Sequence, residues 1–239
     1  MRLNRFLASS GLGSRRAVEE LITSGQVRIN GDVVTRLATD VKPGDAVKVG
    51  RRLLRTEPFV YAVLFKPRRV VSTAGDEKGR STIFDLLPRS WPRVFHVGRL
   101  DMNSEGLLLV TNDGDMANAL SHPRYKIEKE YEVTLDRPFE EAHREKLLRG
   151  VIIEDGRAKA ERLTIEQPNF LRIVLTQGMN RQIHKMLWRV GEYNVKRLVR
   201  VRIGPITARG LAPGKWRMLS RPELSELGAA LEGKLGRIE

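Results

Sequence analysis

The segment HVGRLDMNSEGLLLVTNDGD, residues 96–115, holds the residue with the most chemical promise, Asp101. Residues 107–110 are continuously apolar, the pattern of a strand buried on both faces. A polar, turn-prone stretch precedes this run, and Asn112-Asp113-Gly114 closes a turn after it. Asp101 is therefore predicted in a loop held between rigid strands, where working residues concentrate. A carboxylate there can serve as nucleophile or base, or it can bond its own turn, as Asp commonly does. Residue type and position leave both open. Paired carboxylates suited to glycoside hydrolysis are not evident nearby. The four histidines, His96, His122, His143 and His184, match no metal-ligand spacing. No phosphate-cradling glycine loop, dinucleotide fingerprint or nucleophile elbow is found, although spacing alone does not exclude a dispersed Ser–His–Asp set. With no cysteine in the chain, disulfides, zinc ribbons and thiol nucleophiles are excluded. What remains is one carboxylate expected to act without metal, thiol or nucleotide cofactor.

The elements that must position it come from 239 residues, enough for one or two domains, with 41% hydrophobic residues to build a core. Lys and Arg number 43 against 29 Asp and Glu, a net charge of +14. Such an excess attracts polyanions, nucleic acid first among them. No apolar run approaches the roughly 20 residues of a membrane span. The N-terminus lacks the apolar stretch of a secretory signal. A cytoplasmic, monomeric protein is expected.

Residues 1–48 read as a small unit of two short helices and a few strands, and 49–57 as a basic linker. Residues 58–232 read as a larger mixed domain, and 233–239 as a frayed tail. Strands are predicted at 60–65, 107–111, 131–135, 171–176 and 195–203, and helices at 115–120, 140–149, 180–190 and 221–231. The class is α+β.

In the first unit Ser14 can cap a helix whose first turn holds Arg15 and Arg16, two cations opposing the helix dipole unless an anion is expected. Asn30-Gly31 between apolar pairs is a hairpin signal. Residues 1–57 carry 11 Lys or Arg against 6 Asp or Glu. The stretch SRRAVEELITSGQVRINGDVV, residues 14–34, resembles the alpha-L RNA-binding domain of ribosomal-protein type. That resemblance implies that Ser14, Arg15 and Arg16, together with Arg28 and Asn30 of the hairpin, face structured RNA. Arg5 on the first helix is added as an RNA contact.

The run GRLDMNSEGLLLVTNDGD closely resembles the signature of bacterial ribosomal RNA pseudouridine synthases that carry an N-terminal alpha-L domain. Phe65-Lys66-Pro67, Lys129-Glu130-Tyr131 and Gly178-Met179-Asn180-Arg181-Gln182 agree in order. The resemblance implies a catalytic domain with a mainly antiparallel sheet. It also implies cofactor-free isomerisation of uridine to pseudouridine with flipping of the base. Ribosomal RNA or an assembly intermediate would be the partner. In this family Asp101 would be the catalytic aspartate, Arg181 the arginine that pairs with it, and Tyr131 the ring that stacks on the extruded base. Leu198 would pack at the edge of the site. Its strand, read by alternation, carries Lys196, Leu198, Arg200 and Arg202 on one face.

Residues 172–202 hold 8 Lys or Arg and one Glu. Arg181 and Arg197 read as internal, leaving Lys185, Arg189, Lys196 and Arg200 for phosphates, with Lys66 and Arg99 as further candidates. Phe65, Arg69, His184 and Lys185 depart from the usual family residues, which bears on RNA contacts and target choice. The segment GLAPGKWRMLSRPEL is more like large-subunit members. Small-subunit RNA, or a non-catalytic assembly factor of the same fold, are the alternatives.

Overall fold

The computed structural model describes residues 1–235 and divides into two compact units. The first comprises residues 1–60 with Ser90–Val94. Its helices are α1 (Leu3–Ser9) and α2 (Arg15–Thr23), followed by strands β1 (Val27–Ile29), β2 (Asp32–Val34), β3 (Val47–Val49) and β4 (Arg52–Leu53), in sheet order β2-β1-β3-β4. Ser14 caps α2, its hydroxyl accepting from the Ala17 amide at 3.1 Å, a contact worth about 1 kcal/mol. Asn30 and Gly31 both take positive φ in a two-residue hairpin loop, the geometry that Asn-Gly favours.

The segment 49–57, expected to be a linker, instead contributes β4 and the buried Leu54 to this unit's core, beside Leu3, Leu7, Val18, Ile22 and Val47. The pair Leu53-Leu54 in a basic run without a period is too weak a sequence signal to reveal a closing strand.

The second unit is built on one sheet. In chain order its strands are β5 (Tyr61–Lys66), β6 (Phe95–Val97), β7 (Glu105–Thr111) and β8 (Lys129–Leu135); then the hairpin β9 (Val151–Ile153) and β10 (Gly156–Ala158), which stands apart. The sheet continues with β11 (Arg162–Gln167), β12 (Phe170–Leu175), β13 (Val195–Ile203), β14 (Ile206–Thr207) and β15 (Trp216–Met218). The main path runs β11-β12-β8-β13-β7-β5-β15, with β6 on β7 and β14 on β13. Its named pairs are antiparallel except β7–β13. Helices α3 (Gly114–Ser121), α4 (Arg144–Arg149), α5 (Gln182–Gly191) and α6 (Arg221–Leu235) complete it. The helix expected over 140–149 is divided, a 3-10 turn at Glu141–His143 preceding α4. The expected tail differs too: α6 continues through Leu235, and residues 236–239 lie outside the described residues.

Two apolar clusters flank the middle of the sheet. One joins β8, β11, β12 and β13 to α4 and α5, with Ile183, Met186 and Leu187 as the inward face of α5. The other joins β5, β6 and β7 to α3 and α6. Strand β7 is buried on both faces from Gly106 to Thr111.

Strand β13 does not alternate strictly. A register shift between Arg200 and Arg202 inserts one residue and reverses the phase. Leu198, Arg200 and Ile203 therefore line one cavity, while Arg202 turns to the opposite face and pairs with Glu128 and Glu130. Arg202 does not share a face with Leu198, as alternation alone implied.

Candidate active site

One register row crosses four neighbouring strands: Lys66 opposes Gly106, Gly106 opposes Arg200, and Arg200 opposes Tyr131. Residues opposed in a sheet project to the same face, and Tyr131 and Arg200 of this row line the cavity described below. Gly106 is required there. Its φ is +106°, and a Cβ would lie 2.2 Å from the Arg200 carbonyl oxygen.

Lys66 is completely buried, and its ammonium donates to the carbonyls of Pro67 at 2.9 Å, Met102 at 3.2 Å and Ser104 at 2.8 Å. The Arg69 amide donates to the same Met102 carbonyl, the Ser72 hydroxyl donates to the Leu100 carbonyl, and Ser104 N–H closes the turn onto Asp101 O. These bonds hold the loop that carries Asp101. Burial pushes the Lys66 ammonium down to about 8, against the pull of Asp101 and Glu105, so it stays charged at neutral pH. Sequence reasoning placed Lys66 on phosphates. It is instead the internal cation behind the aspartate.

Asp101 opens into a cavity of about 780 Å³, which Arg99, Tyr131, Asn180, Arg181, Leu198 and Arg200 also line. Two carboxylates line it. Asp76 is committed to Arg80, which meets it with side chain and backbone, while the Asp101 carboxylate has no hydrogen-bond or ion-pair partner among the described residues. Tyr131 and Leu198 belong at once to the cavity wall and to the core.

Arg181 precedes α5 in the left-handed conformation, with φ +47°, and its side chain is exposed in the cavity. The loop before it is tied down by buried Gln182, which donates to Gln177 Oε1 and accepts from Met179 N–H. No ion pair joins Arg181 to Asp101 among the described residues.

His184, one turn into α5, also faces the cavity. Burial and the Arg181 guanidinium push its imidazole below the ordinary value, against Asp101. Its Nδ1 is buried without a hydrogen-bond partner. No spacing rule singled it out.

The remaining candidates divide. Arg200 is buried and donates through Nε to the Leu107 carbonyl, with Nη2 unpartnered; it belongs to the cavity floor, not to a phosphate-facing surface. Lys185 is held by Glu154 and Asp155, which offsets its charge. Arg197 pairs with Glu105 at 2.7 Å and is exposed, not internal. Arg99, Arg189 and Lys196 are exposed. In the first unit Arg15, Arg16 and Arg28 are exposed and Arg5 is half-buried. Ser14 is occupied as a cap. Asn30 is occupied by the hairpin, donating to Asp45 and accepting from Ala46 N–H.

A cavity of this size falls within the ~300–1,000 Å³ of small-ligand sites. A free carboxylate and the exposed cations Arg99 and Arg181 line the same cavity, which suits a negatively charged ligand. Similarity to known proteins narrows this. Residues 60–188 match the model of the RNA pseudouridylate synthase family, and residues 1–47 match the S4 domain. The ribosomal large subunit pseudouridine synthase B of Bacillus subtilis is 40% identical over 95% of this chain and 96% of its own. An RNA pseudouridine synthase of Aquifex aeolicus is 39% identical over 97% and 95%. A crystal structure of a pseudouridylate synthase superposes with a TM-score of 0.69 at 27% identity, covering 95% of this chain and 99% of that one. The chain belongs to the RNA pseudouridylate synthase family. It is an RNA pseudouridine synthase with an N-terminal S4 domain.

Proposed function

We propose that the protein converts one uridine of large-subunit ribosomal RNA to pseudouridine in the cytoplasm, and that Asp101 carries the chemistry. The C1′–N1 glycosidic bond is exchanged for a C1′–C5 bond; C5 loses a proton and N1 gains one, so nothing enters or leaves. The observation that carries this reading is the single uncommitted carboxylate of the cavity, placed above a buried ammonium. A charged aspartate is needed whether it attacks ribose or base or removes a proton, and the buried Lys66 ammonium is held in the same loop. Tyr131 supplies an aromatic face for a flipped uracil, Leu198 packs at its edge, and Arg181 at the rim meets the RNA. The similarity to the Bacillus subtilis large-subunit enzyme supports the choice of RNA.

The test is Asp101→Asn, nearly isosteric and without the negative charge that repels phosphates. RNA affinity should be equal or slightly tighter. Pseudouridine formation, followed by mass-resolved nucleoside analysis of ribosomal RNA from cells lacking the gene, should fall on the order of 10³-fold, roughly 4 kcal/mol of barrier. Turnover within tenfold of the parent would assign the chemistry elsewhere.

A further inference from the structure

Beside the catalytic cavity lies a second cleft of about 360 Å³, lined by Arg181, His184, Lys185, Trp188, Tyr193, Asn194 and Val195. Residues 181, 184, 185 and 188 fall at the spacing of one helix face, and Arg181 and His184 line both spaces. We propose that this cleft holds an unpaired nucleobase next to the flipped uridine, with Trp188 as its stacking platform. The inference rests on the reading of the neighbouring cavity as the site that takes the flipped base.

Trp188 is 54% exposed, unlike Trp91 and Trp216, which are partly buried. The helix does not need it for packing, because Ile183, Met186 and Leu187 already fill the inward face of α5. One exposed ring is ordinary in itself; this one lines a cleft that shares Arg181 and His184 with the main cavity. The charges around it select the partner. Arg181, Arg189 and Lys196 have no ion-pair partner among the described residues, and the Arg137 guanidinium lies 4.8 Å from the centre of the Tyr193 ring. The one cation committed to carboxylates is Lys185, held by Glu154 and Asp155. An aromatic ring flanked by free cations suits a base with its phosphates, since unpaired bases of RNA stack on such rings while the backbone follows the charge. Extruding a uridine leaves its neighbour unstacked on one side. The cleft shares Arg181 and His184 with the cavity read as taking the flipped base. The unpartnered Nδ1 of His184 is a buried polar atom that a base edge or water can satisfy.

The experiment titrates the full chain with hexauridylate, reading tryptophan fluorescence, for the parent, Trp188→Ala and Trp188→Phe. KM for ribosomal RNA is measured alongside. The parent signal should be quenched. The Ala variant should bind on the order of tenfold more weakly, within the range for one stacked base, with a matching rise in KM. Phe should recover much of the loss, whereas removal of a merely apolar patch predicts no aromatic rescue. Two results overturn the proposal: hexauridylate affinity and KM within twofold of the parent in the Ala variant, or an Ala variant whose altered behaviour traces to loss of a dimer in sedimentation. A parent enzyme that forms no pseudouridine would instead refute the proposed function, and hexauridylate binding would be read independently of it.

Discussion

Replacing Lys66 by Met separates two effects of one buried charge, and they run in opposite directions with pH. Burial holds the folded-state value at about 8, whereas the unfolded chain keeps the ordinary 10.5. Between these values the unfolded state binds a proton that the folded state has released, so stability rises with pH across that window. At 1.36 kcal/mol per unit, the group contributes a rise of about 3 kcal/mol, fully developed only near the upper limit. Catalysis moves the other way. The ammonium satisfies three carbonyls of the segments around Asp101, and a neutral amine has two N–H groups for the three. Above about pH 8 the loop loosens, Asp101 loses its cation, and kcat should fall while the protein becomes harder to unfold. Denaturant midpoints of parent and Lys66→Met, measured from neutral pH to the upper limit, give the stability arm; single-turnover pseudouridine formation gives the other. A parent-minus-variant stability difference that stays flat between pH 8 and 10.5, or a parent rate without an alkaline limb, would refute the role assigned to Lys66.

Gly106→Ala should lower stability by about 3 kcal/mol or more, through a positive φ and a clash with the Arg200 carbonyl; an unchanged thermal midpoint would contradict that row of the sheet. Arg181→Met should weaken ribosomal RNA turnover on the order of tenfold by loss of a charged contact. Because no ion pair ties it to Asp101, the acid limb of the pH profile should stay in place, and a shift of that limb would restore the pairing. A chain beginning at residue 58 should keep the second unit's own core and bind RNA more weakly, with a shallower dependence on salt. Equal affinity and slope would deny the first unit a docking role.

The legible parts of the fold are those whose signals are local. Ser14 before an amphipathic turn, Asn30-Gly31, and the spacing of Ile183, Met186 and Leu187 each report on a few neighbouring residues, and α2, the hairpin and α5 stand where they point. The uniform apolar run of β7 was legible for the same reason. Lys66 was not, since its burial depends on carbonyls 36 and 38 residues away and a lysine is outside by default. The phase reversal in β13 is set by pairing with β8, and nothing in the strand's own pattern announces it. Leu54 looked like a stray apolar residue until β4 closed the first sheet. For the site, residue types led to Asp101, and family resemblance added Tyr131, Leu198 and Arg181. His184 stood out in the sequence as a departure from the family pattern, and its place in the wall of both cavities came from the structure.

The grip on the aspartate loop has a consequence for divergence. Lys66, Arg69 and Ser72 hold residues 100–104 largely by main-chain carbonyl oxygens, which every amino acid supplies alike. Met102 and Asn103 are exposed at the mouth of this loop, and exchanging their side chains leaves those contacts intact. Substitution at these two positions therefore changes the surface at the mouth without displacing the Asp101 carboxylate. Of these five residues, the backbone fixes where Asp101 stands, and the exposed side chains beside it are free to vary.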